Sequence, residues 1–387
     1  MELIKSPPDI KNAKRIGIMG GAFNPIHYGH LAAAEAARCE QGLDFILFIP
    51  TGQPPHKESV THPEHRYLMT ILATASNPHF HSSRMEIERE GPSYTVDTIR
   101  LLKEQTDAEL FFIVGADELL QISNWKNSEE LLKLCHWISA VRPGYDASEQ
   151  ISRLNATLLK IPGIDVSGTE LRERSKNNQS IKYMLPDGVE RYVRELGLYK
   201  TGQEENIWQE VAEQMSSRRY IHTIGILEAS LLLAEHYDAD MHKTFLAALL
   251  HDYAKEYSEE KKRSLCNKFK IKLDEVQDGY INMMHGPIGA ELAKQKYNVT
   301  DSEILAAIRY HTTGRSGMGL IEKIVKLADN IERTREYYPQ LEMIRKLSLY
   351  DLDGACAAAI KRDIEYTEGK GRTIHPWGLQ ALEYLAK

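Results

Sequence analysis

At 387 residues the chain exceeds the size at which one hydrophobic core suffices, so two domains are expected. Hydrophobic residues make up 42% and charged residues 27%, the mean hydropathy is -0.42, and no apolar run approaches the roughly 18 residues of a membrane helix. The net charge of -7 is spread evenly, with 23 basic and 26 acidic residues in positions 1–200 and 25 and 29 beyond, so neither half offers the basic face that nucleic acid needs.

The first segment, Met1 to Ile16, is polar, carries Pro7 and Pro8 and lacks an apolar signal-peptide region, so a cytoplasmic protein is expected. Cys39, Cys135, Cys266 and Cys356 are widely spaced with no C-x-x-C pair, which argues against a disulfide framework and a thiolate zinc site. Four short apolar runs, Ile16 to Met19, Phe45 to Ile49, Leu110 to Val114 and Trp137 to Val141, read as buried strands. Helical patterns at Leu31 to Glu40, Arg66 to Ala75 and Thr95 to Lys103 alternate with them. Alternation of this kind predicts an α/β, Rossmann-like, doubly wound parallel sheet with ligands at the strand C-terminal ends.

A short polar stretch, Thr201 to Asn206, then interrupts the pattern, and no convincing strand follows. The expected domains are residues 1–201 and an all-α unit over 202–387, with helices near Trp208 to Ser217, Thr223 to His236, His242 to Lys255, Pro287 to Tyr297, Asp301 to His311 and Leu320 to Arg335.

Directly after the first strand comes Gly20-Gly21-Ala22-Phe23-Asn24-Pro25-Ile26-His27-Tyr28-Gly29-His30, running into an alanine-rich helix. Glycines let backbone approach a phosphate, a helix N-terminus presents free N–H groups to it, and two histidines can donate to its oxygens. No covalent nucleophile stands out, so the chemistry implied is charge stabilisation at phosphorus. Ser167-Gly168-Thr169-Glu170-Leu171-Arg172 has the spacing of a capping box, a helix start that also suits an anion.

These two segments resemble the H-x-G-H and S-x-T-x-x-R motifs of the nucleotidylyltransferase superfamily. Pro54-Pro55-His56-Lys57, Gly91 to Thr98, Gly115-Ala116-Asp117, Trp125 and Arg142-Pro143-Gly144 narrow the resemblance to the bacterial nicotinate-nucleotide adenylyltransferase family over about residues 14 to 200. The resemblance implies AMP transfer from ATP, with Mg2+, to nicotinate mononucleotide. His27 and His30 would stabilise the pentacoordinate phosphorus, and Thr169 and Arg172 would hold the triphosphate. Gly21, Ala22, Phe23, Gly115 and Asp117 would line the ATP site. Trp125 would stack on the pyridine, Thr95 would take its carboxylate, and Lys57 and Arg142 would offset phosphate charge.

The second half brings His222, His251-Asp252, His285, His311 and Asp329, a set of imidazoles and carboxylates suited to first-row metals. His222 falls in register with Ile226, Ala229 and Leu233, Asp252 with Phe245, Ala248 and Leu249, and His311 with Ile304, Ala307 and Ile308, so these polar groups lie on core faces. A carboxylate buried there needs a partner, which a metal supplies.

The adjacent His-Asp with flanking histidines and a late aspartate resembles the HD metal-dependent phosphohydrolases. His251 to Lys255, His285-Gly286, His311 to Gly314 and Ala328 to Glu332 are similar to the symmetrical diadenosine tetraphosphate hydrolases of that superfamily, over about residues 206 to 340. The resemblance implies an HD-type fold, two divalent metals, usually iron, with Asp252 between them, and cleavage of diadenosine tetraphosphate into two ADP. Lys255, Thr312, Thr313 and Arg335 are candidate phosphate contacts. One departure is that Ile331-Glu332-Arg333-Thr334-Arg335 lacks the proline expected after the glutamate.

The expectation is a bifunctional enzyme acting on ATP, nicotinate mononucleotide and diadenosine tetraphosphate, with no nucleic-acid or membrane partner and self-association left open. Alternatives are another phosphorylated acceptor for the first half, and for the second another nucleotide or a non-catalytic metal- or nucleotide-binding regulatory module.

Overall fold

The computed structural model describes residues 4–5, 8–55, 61–141, 154–160, 164–200 and 205–386. The chain forms two compact units, Lys5–Gly202 and Gln203–Lys387.

The first unit is built on six parallel strands, β1 (Arg15–Gly21), β2 (Phe45–Pro50), β3 (Phe80–Ser82), β4 (Glu109–Gly115), β5 (His136–Val141) and β6 (Thr157–Lys160), in the order β3-β2-β1-β4-β5-β6. Its helices are α1 (Tyr28–Gln41), α2 (Pro63–Thr74), α3 (Met85–Glu88), α4 (Thr95–Gln105), α5 (Ala116–Leu119), α6 (Ser128–Leu134), α7 (Gly168–Lys176) and α8 (Asp187–Glu195). Every residue of β2 is buried, as expected where helices cover both faces of a parallel sheet. The chain runs outward from β1 through β2 to β3, then returns to β4 beside β1. The C-terminal ends of β1 and β4 therefore flank the topological switch, where a crevice opens for ligands.

The two strands without a sequence signal are β3, three residues long, and the edge strand β6, four residues long. Both are too short for a periodic pattern, and pairing with β2 and β5 defines them.

The second unit is helical: α9 (Glu205–Gln214), α10 (Ser217–His236), α11 (Met241–Leu250), α12 (Glu259–Lys268), α13 (Glu275–Gly279), α14 (His285–Tyr297), α15 (Ser302–Tyr310), α16 (Leu320–Ile331), α17 (Leu341–Leu347), α18 (Leu352–Gly369) and α19 (Pro376–Leu385). Ile226, Phe245, Ala248, Ile288, Ile308, Ile324 and Leu327 are each 1% exposed or less and form its core. Among the described residues no helix is long and apolar enough to cross a membrane.

Several helix ends in this unit differ from the sequence expectation, and α10 starts at Ser217 rather than Thr223. The first helix ends at Gln214, and Ser216 then caps α10 by accepting from the Arg219 N–H at 3.3 Å. The helix expected through Lys255 stops at Leu250, and residues 251–256 form turns. The helix expected through Arg335 stops at Ile331, because Glu332 adopts extended backbone at φ -54° and ψ 159°.

Candidate active sites

In the first unit, β1 delivers Gly21 and Ala22 to the crevice, and α1 begins immediately afterward with His27 as its N-cap. The His27 and His30 rings lie 3.8 Å apart between centroids, and the His27 N–H donates to His30 Nδ1 at 3.2 Å. Both imidazoles are thus held at the helix N-terminus, where the backbone dipole favours an anion.

Arg172 reaches the same loop from α7, donating to the Asn24 carbonyl at 2.8 Å and to Thr169 Oγ1 at 3.1 Å. Gly168 permits this approach, since a Cβ there would stand 3.1 Å from the Asn24 oxygen and 3.3 Å from the guanidinium. Ser167 caps α7 by accepting from the Glu170 N–H at 3.2 Å, while the Glu170 carboxylate accepts from Arg174 at 2.8 Å.

A cavity of about 250 Å³ beside this loop is lined by Gly21, Ala22, Thr95 and Trp125, together with Glu86, Tyr94 and Lys126. Thr95 is the first residue of α4, so the free N–H groups of that helix start there. Trp125 is half-buried against Phe112 and Trp137 at 6.3 and 6.2 Å, and also lines the cavity; core packing and ligand contact are compatible here. Phe23 instead turns its ring inward against Phe48, with φ at 47°, which leaves its backbone to the loop. Gly115 caps α5 at the end of β4, and Asp117 follows within that helix, its side chain outside the described residues. His56, Lys57, Arg142, Pro143 and Gly144 also lie outside the described residues.

In the second unit five elements converge. His222 lies within α10, His251-Asp252 follow α11, His285 opens α14, His311 follows α15, and Asp329 lies in the last turn of α16. Two sets, His222–His251–Asp329 and His251–Asp252–His311, each bring their donor atoms within 4.8 Å of one another, with His251 common to both. Asp252 Oδ1 lies 3.0 Å from His285 Nε2 and 3.4 Å from His311 Nε2, which joins His285 to the cluster. His222 Nε2 lies 3.3 Å from Asp329.

The tautomers follow from the outer nitrogens. His251 Nδ1 lies 2.6 Å from the Ala248 carbonyl, His311 Nδ1 lies 2.8 Å from that of Ile308, and His285 Nδ1 meets that of Asn282. A carbonyl only accepts, so each Nδ1 carries the proton and each Nε2 lone pair points inward. His251 Nε2 is fully buried, makes no hydrogen bond and lies 3.6 Å from Asp252 Oδ2, at the point the two sets share. Imidazole and carboxylate donors in this arrangement fit divalent first-row metals.

Burial pushes the Asp252 and Asp329 carboxyls up, but the surrounding cations and imidazoles outweigh it. His251 and Lys255 hold Asp252 well below the usual carboxylate range, and His222 with Arg335 does the same for Asp329. Burial, with Lys255 nearby, pushes His285 down to about 3, and burial also lowers His311. For His222 burial acts downward, yet bonds to Asp329 and Glu332 raise it to about 9.

Comparison with known proteins agrees with this division. A Cytidylyltransferase-like family model matches residues 18–174, and an HD domain model matches residues 219–334. A probable nicotinate-nucleotide adenylyltransferase of Moorella thermoacetica is 49% identical over 203 residues, which cover 48% of this chain and 92% of that protein. The chain belongs, through its first unit, to the nicotinate-nucleotide adenylyltransferase family. A second relative, from a Thermoanaerobacter species and also described as a probable nicotinate-nucleotide adenylyltransferase, is 46% identical over 206 residues, or 50% of this chain and 98% of that protein. Among solved structures, a protein of Clostridium acetobutylicum described as a predicted HD superfamily hydrolase involved in NAD metabolism shares 32% identity, covers 47% of this chain and 96% of its own, and has a TM-score of 0.46.

Within the adenylyltransferase unit the sequence reading missed Arg66. It is 1% exposed and donates to the carbonyls of Ala22, Thr51, Gly52 and Thr61, so it ties the loop after β1 to the loop after β2. Nothing in its sequence neighbourhood distinguishes it from a surface helix arginine. Glu86 was missed as well; it is buried at the cavity wall, accepts from Thr98 Oγ1 at 2.5 Å, and has its carboxyl raised by burial.

In the HD domain the expected cation Lys255 sits 3.3 Å from His285 Nε2, and Thr312 Oγ1 lies 3.2 Å from His311 Nε2. Arg335 reaches Asp329 at 3.7 Å, whereas Thr313 Oγ1 donates to the Gly314 carbonyl within its own turn. Arg219 is an addition: it lies three residues before His222, on the same face of α10, and pairs with Asp252 at 2.7 Å. That i, i+3 spacing to a candidate ligand was the available signal.

Proposed function

We propose that the first unit transfers the adenylyl group of ATP to nicotinate mononucleotide. The acceptor's phosphate oxygen attacks the α-phosphorus, the bond to the β-phosphate breaks, and deamido-NAD and pyrophosphate leave. The observation that carries this reading is the single cavity shared by the Gly21-Ala22 loop, Thr95 and Trp125, beside paired imidazoles at a helix N-terminus. His27 and His30 donate to the charge that grows on the phosphorus oxygens. Arg172 and Thr169 hold the triphosphate with the free N–H groups of α7. Trp125 stacks on the pyridine, the start of α4 at Thr95 receives its carboxylate, and Lys57 and Arg142 offset phosphate charge. Phe23, Gly115 and Asp117 complete the ATP site. Mg2+, accompanying ATP, supplies further charge neutralisation.

Offering nicotinate mononucleotide, nicotinamide mononucleotide and phosphopantetheine as acceptors tests this. Preference for the first is expected, with a rate loss on the order of a hundredfold for His27→Ala. Preference for another acceptor would replace the substrate assignment.

The same proposal assigns phosphoanhydride hydrolysis to the HD domain, with diadenosine tetraphosphate cleaved into two ADP. His222, His251, Asp252, His285, His311 and Asp329 would hold two divalent cations, iron being the expected metal. When bound, these cations lower the pKa of the attacking water and neutralise the phosphoryl oxygens. Lys255, Arg219, Thr312 and Arg335 stand around the cluster and orient the polyphosphate chain, the arginines as bidentate donors. The convergence of two donor sets on the buried, unbonded His251 Nε2 carries this part of the reading.

Product analysis after supplying anaerobically purified protein with iron and diadenosine tetraphosphate tests it. ADP alone, lost in a His251→Ala Asp252→Ala variant, is the expected result. No turnover with two metals bound would remove this substrate and direct attention to other nucleotides.

A further inference from the structure

Three of the four inward-facing histidines take their orientation from their own backbone, each Nδ1 meeting the carbonyl of the residue three positions earlier. His222 is different. It sits inside α10, where the nearby carbonyls serve the helix, and its Nδ1 lies 3.3 Å from Glu332 Oε1.

Glu332 follows the last residue of α16 and is 1% exposed. The Thr334 N–H and hydroxyl both donate to its carboxylate, the hydroxyl at 3.0 and 2.9 Å from the two oxygens. Space for this group comes from Gly225, about one turn beyond His222, where a Cβ would stand 2.5 Å from Glu332 Oε2. A buried carboxylate is thus fixed from behind and presented to one imidazole of the cluster. A carboxylate behind a ligand imidazole fixes the tautomer and raises the basicity of the inner nitrogen, and removing it typically costs 10–100-fold in metal affinity.

We propose that Glu332 is a positioning residue acting through His222, and that it makes the position formed by His222, His251 and Asp329 the tighter of two metal positions in the HD domain. The proposal rests on reading this cluster as a divalent-metal centre. The competing explanation is that Glu332 only closes α16 through Thr334, which would affect folding and leave metal binding unchanged.

The test is titration of the full-length protein with Mn2+ alone, counting free ion by electron paramagnetic resonance, for wild type, Glu332→Gln and Glu332→Asp, with metal-free melting measured in parallel. Wild type is expected to show one tight and one weaker Mn2+. Glu332→Gln is expected to weaken the tight class by 10–100-fold while leaving the weaker class within about threefold, and Glu332→Asp to recover part of the loss. A tight class within threefold of wild type in Glu332→Gln would overturn the proposal, whether or not metal-free melting changes. If Glu332→Gln does not fold, Gly225→Ala, which displaces the carboxylate from His222, is read by the same criteria. Failure of wild type to bind any Mn2+ would instead remove the metal-centre reading, and the proposal with it.

Discussion

Replacing Arg66 with methionine is the sharpest test of how the adenylyltransferase unit is held together. The guanidinium is buried, its pKa lowered by that burial only to about 10, so it stays charged at neutral pH. It donates to Ala22, Thr51, Gly52 and Thr61 carbonyls at 2.8, 2.5, 3.0 and 2.9 Å and to Thr51 Oγ1 at 3.2 Å. Methionine fills similar volume but leaves four carbonyls without this donor. At about 1–3 kcal/mol for each buried group left unsatisfied, less what relaxation and entering water recover, the expected loss is about 3–5 kcal/mol. For a unit of this size that lowers the melting temperature by roughly 10 °C. Scanning calorimetry of the full chain, with ATP added to identify the transition of the first unit, measures it. Because Ala22 lines the cavity, the Michaelis constant for ATP should rise as well. An Arg66→Met transition within about 1 kcal/mol of wild type would show that the carbonyls find other donors and that the loops are not held by this residue.

Three further outcomes are expected. Gly168→Ala places a Cβ 3.1 Å from the Asn24 carbonyl, so α7 must withdraw by a few tenths of an ångström; steady-state kinetics should show a higher Michaelis constant for ATP with the fold intact. His65 is held neutral by burial, its pKa pushed down to about 3 from an unfolded value near 6.5, so its contribution is complete above pH 6.5 and is lost as pH falls below it. Between pH 7 and 5 this amounts to about 2 kcal/mol, and urea melts should show a shallower pH slope in His65→Gln than in wild type. Chelation of divalent metal followed by return of Mg2+ alone should abolish ADP release and leave adenylyl transfer unchanged, as product analysis in one reaction mixture would show.

The parts of the fold that announced themselves were those with long apolar signals. β1, β2, β4 and β5 each hold a stretch of consecutive buried residues, rich in Ile, Leu, Phe and Val in β2 and β4, whereas β3 and β6 are defined only by pairing with a neighbour. The candidate donor set of the HD domain was legible because an adjacent His-Asp in register with apolar residues has few physical explanations, although the structure places the pair in the turn just past Leu250. The supporting groups were not. Arg66 acts through backbone carbonyls of loops that approach it only in space, and Glu332 is 110 residues from His222. Helix ends at Leu250 and Ile331 were also hidden: Tyr253 and Ala254 continue the apolar pattern past the first, and Glu332 to Arg335 past the second hold no glycine or proline, while the backbones already turn.

The backbone bonds to the three imidazoles have a kinetic consequence. His251 and His311 occupy the first positions past α11 and α15 and lean on carbonyls of the final turns, so their aim lasts only as long as those turns remain wound. Those turns carry Ala248 and Ile308, which belong to the core, so neither imidazole can rotate away without opening the core around it. Escape of a bound ion would then be timed by opening of the core at these two helix ends, and a stabilised core would slow that clock.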